Sequence, residues 1–198
     1  MPKVIEFDNK VEFFRSQLIK LSGKQRSAII NMGIRRSEIF LDSFNHLSNR
    51  TPSELRGKLH IEFKNEDGED AGGLTREWFL TLSKEIFNPN YVLFQPSDNY
   101  VTWQPSNKAW VNPENLRYFK FVGRVVGKAL MDGYLLDAYF TTSFYKHMVG
   151  APLTYHDIQD TDPQYYKNLG WILQNDITGM DLTFSYEADN FGEIKNKE

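Results

Sequence analysis

The chain has 198 residues, with 26 acidic against 23 basic side chains for a net charge of −3, and it contains no cysteine. That composition excludes disulfides, thiolate metal sites and thiol nucleophiles together, and without a long Lys/Arg run nucleic acid is a poor partner. The 15 Phe, 10 Tyr and 4 Trp supply one sizeable core; apolar runs far short of the ~20 residues that span a bilayer, and the lack of a signal peptide, read as an intracellular protein, nuclear or cytoplasmic, with no membrane partner.

Asp8 is placed to cap a helix running to about Leu21, with Val11, Phe14, Leu18 and Leu21 on one stripe and Gly23 as its stop. Ile34 to Phe44 fits neither helical nor strand period cleanly and reads as an extended start followed by a helical turn to His46. Thr51-Pro52-Ser53-Glu54 opens a short helix to about Lys58. Leu59, Ile61 and Phe63 then alternate with polar residues as a half-buried strand. After Gly72-Gly73, Leu74, Trp78, Leu82 and Ile86 share a helix face that Asn88-Pro89-Asn90 ends. Tyr91 to Phe94 and Tyr100 to Gln104 bracket a polar loop as a strand pair.

Asn112-Pro113-Glu114 starts the most apolar helix. Leu116, Phe119, Val122, Val126 and Leu130 form one stripe, and Tyr118, Phe121 and Val125 form a second. Apolar residues on two sides predict burial between layers. Helices are expected at Thr142 to Val149 and Pro163 to Asn175, with a closing strand at Asp181 to Tyr186. The sum is a mostly helical α+β fold with short strands and a long buried central helix, its strands too scattered for a regular βαβ series.

No constellation announces a reaction. Glu62, Glu66, Asp67, Glu69 and Asp70 fail the calcium-loop pattern and read as a solvated hairpin turn. The four histidines lack the pairing of a helical zinc site, and no Gly-x-Ser-x-Gly elbow presents a serine. Gly72-Gly73 fits a turn that glycine alone permits and a close helix-strand approach. Gly123 and Gly127, four apart on one helix, each cost about 1 kcal/mol relative to alanine. Close packing would offset that cost, so Gly127→Leu is expected to overpack the core by roughly 1–3 kcal/mol.

The segment Gly68-Glu69-Asp70-Ala71-Gly72-Gly73-Leu74-Thr75-Arg76-Glu77-Trp78-Phe79 closely resembles a signature of the N-terminal lobe of HECT-type ubiquitin ligases. Tyr118 to Ala129 resembles that lobe's long central helix, and Phe140 to Met148 the helix after it. Phe87-Asn88-Pro89, Asn112-Pro113, Leu135-Leu136-Asp137 and Asp181-Leu182-Thr183-Phe184 extend the likeness over most of the chain. Phe7-Asp8, Arg35-Arg36 and Asp42-Ser43 are most similar to the giant fungal Tom and animal Mule branch.

The resemblance implies an E3 ubiquitin-protein transferase in which the N-lobe receives a ubiquitin-charged E2 enzyme. A smaller C-lobe there carries a cysteine that takes ubiquitin as a thioester and passes it to a substrate lysine, so that one acyl transfer becomes two. Residues 1–198 correspond to a partial N-lobe, ending before the E2-gripping subdomain and the C-lobe. Glu193 to Glu198 reads as a charged tail without a closing element, in keeping with truncation. The expectation is therefore an inactive structural and docking fragment, with no catalytic residue, metal or cofactor of its own and with E2 bound only through absent parts. Likeness also nominates a weak noncovalent ubiquitin contact at Tyr118 and Phe121. The alternative is a non-catalytic ubiquitin- or protein-binding module on the same fold.

Overall fold

Alternation of apolar side chains builds the first sheet. Ile30, Met32 and Ile34 on β1 (Ile30–Ile34) and Leu59, Ile61 and Phe63 on β2 (Leu59–Phe63) are all buried, whereas Asn31, His60 and Glu62 are exposed. The strands pair in parallel, from Ile30 opposite Leu59 to Ile34 opposite Phe63. A parallel pair needs a crossover, made here by a 3-10 turn at Arg36–Glu38, helix α2 (Ile39–Leu47) and a second 3-10 turn at Glu54–Arg56. The computed structural model describes residues 4–22, 29–67, 72–183, 185–190 and 193–197.

Helix α3 (Gly73–Ile86) lies on β2 and α2 and buries Thr75, Trp78, Phe79, Leu82, Ser83 and Ile86. Gly72 immediately before it has φ +106°, a left-handed conformation that side chains resist. Inside the core the Trp78 indole N–H donates to the Ser43 hydroxyl at 2.8 Å, which satisfies a polar group that burial would otherwise penalise.

Helix α4 (Asn115–Asp132) closes this core. Phe121, Val122, Val125 and Ala129 are buried, and Phe121 meets Phe40 and Phe44 edge-on at 5.4 and 5.6 Å. Two cations on α4 tie down distant backbone. Arg124 donates to the Leu47 carbonyl at 2.6 Å and to the Ser48 carbonyl, covering the negative end of α2. Lys128, 3% exposed, donates to the Gly57 carbonyl at 2.6 Å and to Asp132 at 2.9 Å.

Strands β3 (Phe94–Pro96) and β4 (Trp103–Pro105) form an antiparallel pair around a loop held by Asn99, whose side-chain oxygen accepts from the Val101 and Thr102 amides. A parallel bridge joins Trp103 to Phe140. Helix α5 (Thr142–Met148) follows, capped by Thr141, and α6 (Pro163–Gln174) is capped by Asp162 with Pro163 in its first turn. Helix α1 (Phe7–Ser22) stands at the edge, where Leu18 and Ile19 share a cavity of about 400 Å³ with Leu130 and Met131 at the end of α4.

The mixed, largely helical architecture agrees with the sequence reading, as do α3, α5 and α6. Several details differ. The extended segment begins at Ile30, not Ile34, and forms one βαβ unit. Helix α1 starts at Phe7, so Asp8 sits within its first turn, and Phe14 is 46% exposed. The expected helix to Lys58 shortens to the 3-10 turn Glu54–Arg56, although Thr51 and Glu54 do make reciprocal capping bonds. Tyr91 closes a 3-10 turn, and β3 starts at Phe94.

The acidic segment after Phe63 is not a hairpin, because the partner of β2 is the parallel β1; Glu66 pairs with Arg36, and residues 68–71 lie outside the described ones. Residues 181–183 are irregular, and the final strands are β5 (Tyr186–Asn190) and β6 (Glu193–Lys197), paired antiparallel where a tail without a closing element was expected.

The largest correction concerns α4. Its buried positions come from both stripes, Phe121 and Val125 from the second and Val122 from the first, while Leu116 is 78% and Leu130 54% exposed. Only one side of the helix is covered. Gly123 and Gly127 are exposed, and a Cβ built on either, or on Gly73, meets no atom within 4 Å. The close packing expected at these glycines is absent because their face looks away from the core.

Candidate functional site

Two surface features are built by α4, one at each end. Toward its N-terminus, the Tyr118 ring stands edge-on to Phe44 at 4.8 Å and to Phe40 at 5.3 Å, and Phe40 stacks on Tyr91 at 4.0 Å. Helical spacing explains the grouping. Tyr118 and Phe121 are three residues apart on one face of α4 and meet Phe40 and Phe44, four apart on one face of α2. The structure brings the two nominated residues into one cluster in different roles. Tyr118 is half-buried at the rim, and Phe121 is fully buried behind it.

The rim is polar. Arg117 places its guanidinium 5.3 Å from the Phe44 ring centre and pairs with Glu114, and burial, followed by the charges of Glu85 and Glu38, pushes the Tyr91 phenol up. An aromatic cluster with a wet edge suits a weak contact with another protein surface.

The second feature is an apolar groove between α4 and α5. One part, of about 250 Å³, is walled by Phe94, Phe119, Val122, Gly123, Val126, Phe144 and Met148. A second part, of about 370 Å³, continues past Leu130 and Leu136 to Tyr145 and Val149 and shares Val126, Phe140 and Met148 with the first. Sequence reasoning placed Phe119, Val122, Val126 and Leu130 on a stripe buried between layers; Val122 is buried, Phe119 and Val126 are half-buried, and Leu130 is exposed. The signal that could have distinguished them is the pair of glycines on the same face, which provides no side chains to pack.

Charged groups elsewhere brace the fold. Asp42 accepts from the Arg35 backbone N–H at 2.9 Å and from its guanidinium at 2.7 and 3.0 Å. Those bonds hold its carboxyl at about 2 against an ordinary 3.8. Arg36 bridges Glu66 and Glu77 over the Phe63 ring, 4.0 Å from its centre. Burial raises the Asp132 carboxyl, partly opposed by Lys128.

For chemistry, the inventory is short. Covalent acyl transfer through sulfur is closed to these 198 residues, which have no thiol, and among the described residues no three His, Asp or Glu side chains gather where they could hold a metal ion. No helix of the described residues is long and apolar enough to cross a membrane. What the arrangement offers is surface: an aromatic rim, an apolar groove and a rigid core beneath both.

Comparison with known proteins gives these surfaces a setting. The model of the HECT-domain (ubiquitin-transferase) family matches residues 80–198, more than half of the chain. The E3 ubiquitin-protein ligase UPL2 of Arabidopsis thaliana is 49% identical over 189 residues, covering 95% of this chain and 5% of its own length. The E3 ubiquitin-protein ligase TOM1 of Saccharomyces cerevisiae is 45% identical over 197 residues, 98% of this chain and 6% of its own length. The E3 ubiquitin-protein ligase HUWE1 of Mus musculus is 43% identical over 193 residues, with 96% and 4% covered. The chain thus spans about a twentieth of the length of these relatives.

Proposed function

The chain belongs to the HECT-domain (ubiquitin-transferase) family, and from that membership we propose that it is a scaffold portion of the N-lobe of an E3 ubiquitin-protein ligase, serving to position partners for a thiol carried elsewhere in the parent protein. The parent takes ubiquitin from an E2 enzyme onto a cysteine and transfers it to a substrate lysine. Residues 1–198 contribute structure and docking, and act inside the cell, in the cytoplasm or nucleus.

The observation that carries this reading is the family match over residues 80–198. The absence of any cysteine assigns this chain a non-catalytic share of the work, because a thioester needs a thiolate. Within that share, Tyr118 is the centre of a weak noncovalent ubiquitin contact, with Phe121 buried in the same cluster against Phe40 and Phe44. The half-buried aromatic rim supports this assignment.

Two experiments test the reading. Incubated with ubiquitin-activating enzyme, an E2, ubiquitin and ATP, the chain forms no reductant-sensitive ubiquitin adduct; such an adduct would overturn it. Titrated with ubiquitin, isotope-labelled chain shows saturable shifts around Tyr118 at millimolar concentration, where a contact of about −4 kcal/mol is substantially occupied. Tyr118→Ala abolishes those shifts with the remaining spectrum intact. Silence of that region up to millimolar ubiquitin would remove the contact from the proposal and leave the scaffold role.

A further inference from the structure

A third concavity, of about 550 Å³, opens at the C-terminal end of α3 and shares no lining residue with the apolar groove, although its Phe87 and Trp103 lie beside Phe140. Its walls combine aromatic and acidic groups. Trp103 is half-buried and stacked on Phe87 at 4.8 Å, and Tyr139 is 58% exposed. Their spacing is fixed by backbone, because the Trp103 amide donates to the Tyr139 carbonyl at 2.8 Å and the Thr141 amide to the Trp103 carbonyl at 3.1 Å.

The acidic residues are anchored as well, Glu85 through its carboxylate and Asp137 through its backbone. Glu85 accepts from the Asn88 side-chain amide at 2.9 Å, and the Asp137 backbone N–H donates to the buried Ser83 hydroxyl at 3.2 Å. Among the described residues Lys84 is the single basic group lining the cleft, and it is exposed. Two carboxylates therefore outnumber one ammonium. The end of α3 adds the negative pole of the helix dipole, which favours a cation within the last turn.

We propose that this cleft binds an arginine side chain of a partner polypeptide. A guanidinium is planar and weakly hydrated, stacks on an aromatic face and offers paired N–H donors to carboxylates. Those properties match the indole and phenol of Trp103 and Tyr139 and the carboxylates of Glu85 and Asp137. A hard metal ion is a worse match, since it needs six or more oxygen ligands where this cleft presents rings. The site goes beyond the scaffold role and stands or falls independently of the Tyr118 contact.

The test uses the chain labelled with 5-fluorotryptophan, whose four resonances report Trp78, Trp103, Trp110 and Trp171; Trp103→Tyr identifies the relevant one. The probe is the blocked tripeptide Gly-Arg-Gly, and its control carries citrulline, the neutral isostere of arginine. The expected result is a saturable shift of Trp103 at concentrations on the order of 1–10 mM, with Trp78 unmoved. Binding should weaken at least about fivefold with citrulline and in the Glu85→Gln/Asp137→Asn variant. Equal shifts from the citrulline peptide, undiminished binding by the variant, or a stationary Trp103 resonance would each overturn the proposal. The citrulline arm needs no substitution, so the test does not depend on the variant's folding.

Discussion

Replacing Gly127 by alanine should make the protein more stable. Glycine in a helix interior costs about 0.8–1.0 kcal/mol relative to alanine, and a Cβ at Gly127 or Gly123 meets no atom within 4 Å. Nothing opposes the gain. Gly123→Ala and Gly127→Ala should each stabilise by about 0.8–1 kcal/mol, and together by just under ~2 kcal/mol, since they share no packed neighbour. For a chain of this size each kcal/mol raises Tm by about 2–4 °C. Gly127→Leu should be near neutral or stabilising, the reverse of what a packed face would give. Gly72→Ala is the counter-experiment, because φ +106° there imposes roughly 1–2 kcal/mol on a residue with a side chain. Urea denaturation followed by circular dichroism reads all five variants, the double one included. A lower midpoint for Gly127→Ala would refute the reasoning, since it would place an atom against a face that is bare in this structure.

Other expectations rest on single contacts. Asp42, 10% exposed at its side chain, is held at about 2 mainly by its hydrogen bonds to Arg35. Because its folded value is depressed, the stability it adds is present above the ordinary 3.8 and is lost as pH falls from about 4 toward 2. The gap corresponds to about 2 kcal/mol at most, trimmed toward ~1 kcal/mol by solvent around half-exposed Arg35; Asp42→Asn should flatten the stability profile over that window, and an unchanged slope would count against the pair. Ser43→Ala strands the buried Trp78 N–H and should cost ~1–3 kcal/mol; in a Trp78→Phe background, where no N–H is left to strand, the same substitution should cost less, and an equal cost would count against the bond. Lys128→Met leaves the Gly57 carbonyl and Asp132 without their cation and should lower stability by about 2–4 kcal/mol, somewhat below a fully buried pair because the Asp132 side chain is 23% exposed. Adding Asp132→Leu should restore part of that loss, and no restoration would show that the Gly57 bond carries the effect.

Local signals made much of this fold readable. Leu59, Ile61 and Phe63 alternate cleanly, and Trp78, Leu82 and Ile86 repeat at helical spacing, so β2 and α3 were evident from their own residues. The partner strand was harder. Ile30, Met32 and Ile34 also alternate, but Ile29 beside Ile30 and a glycine at 33 blur the pattern, and parallel pairing to a strand 29 positions away leaves no local mark. Helix α4 shows the limit of periodicity. Its two apolar stripes look equivalent in sequence, and burial is decided by what stands opposite: Phe40 and Phe44 cover Tyr118 and Phe121, while the other stripe passes from buried Val122 to exposed Leu116 and Leu130. The same limit applies to the candidate site, where spacing could pair Tyr118 with Phe121 yet could not tell the rim from the floor. The Glu85–Trp103–Asp137 cleft joins three separated segments and was invisible before they were folded together.

The reach of α4 back to the first half of the chain also sets a clock. Arg124 meets its carbonyl partners 76 and 77 residues upstream, and Lys128 meets Gly57 71 residues upstream. At ~5–20 residues per second, a ribosome needs on the order of 4–15 s to make that stretch. Until then Phe40 and Phe44 have no Phe121 or Tyr118 to cover them. Stalled nascent chains that end before and after α4 should differ in protease sensitivity around Phe40, and equal protection would mean that the first half settles by itself. For several seconds of each synthesis Phe40 and Phe44 await their cover, and the length of that exposure is written into the distance between α2 and α4.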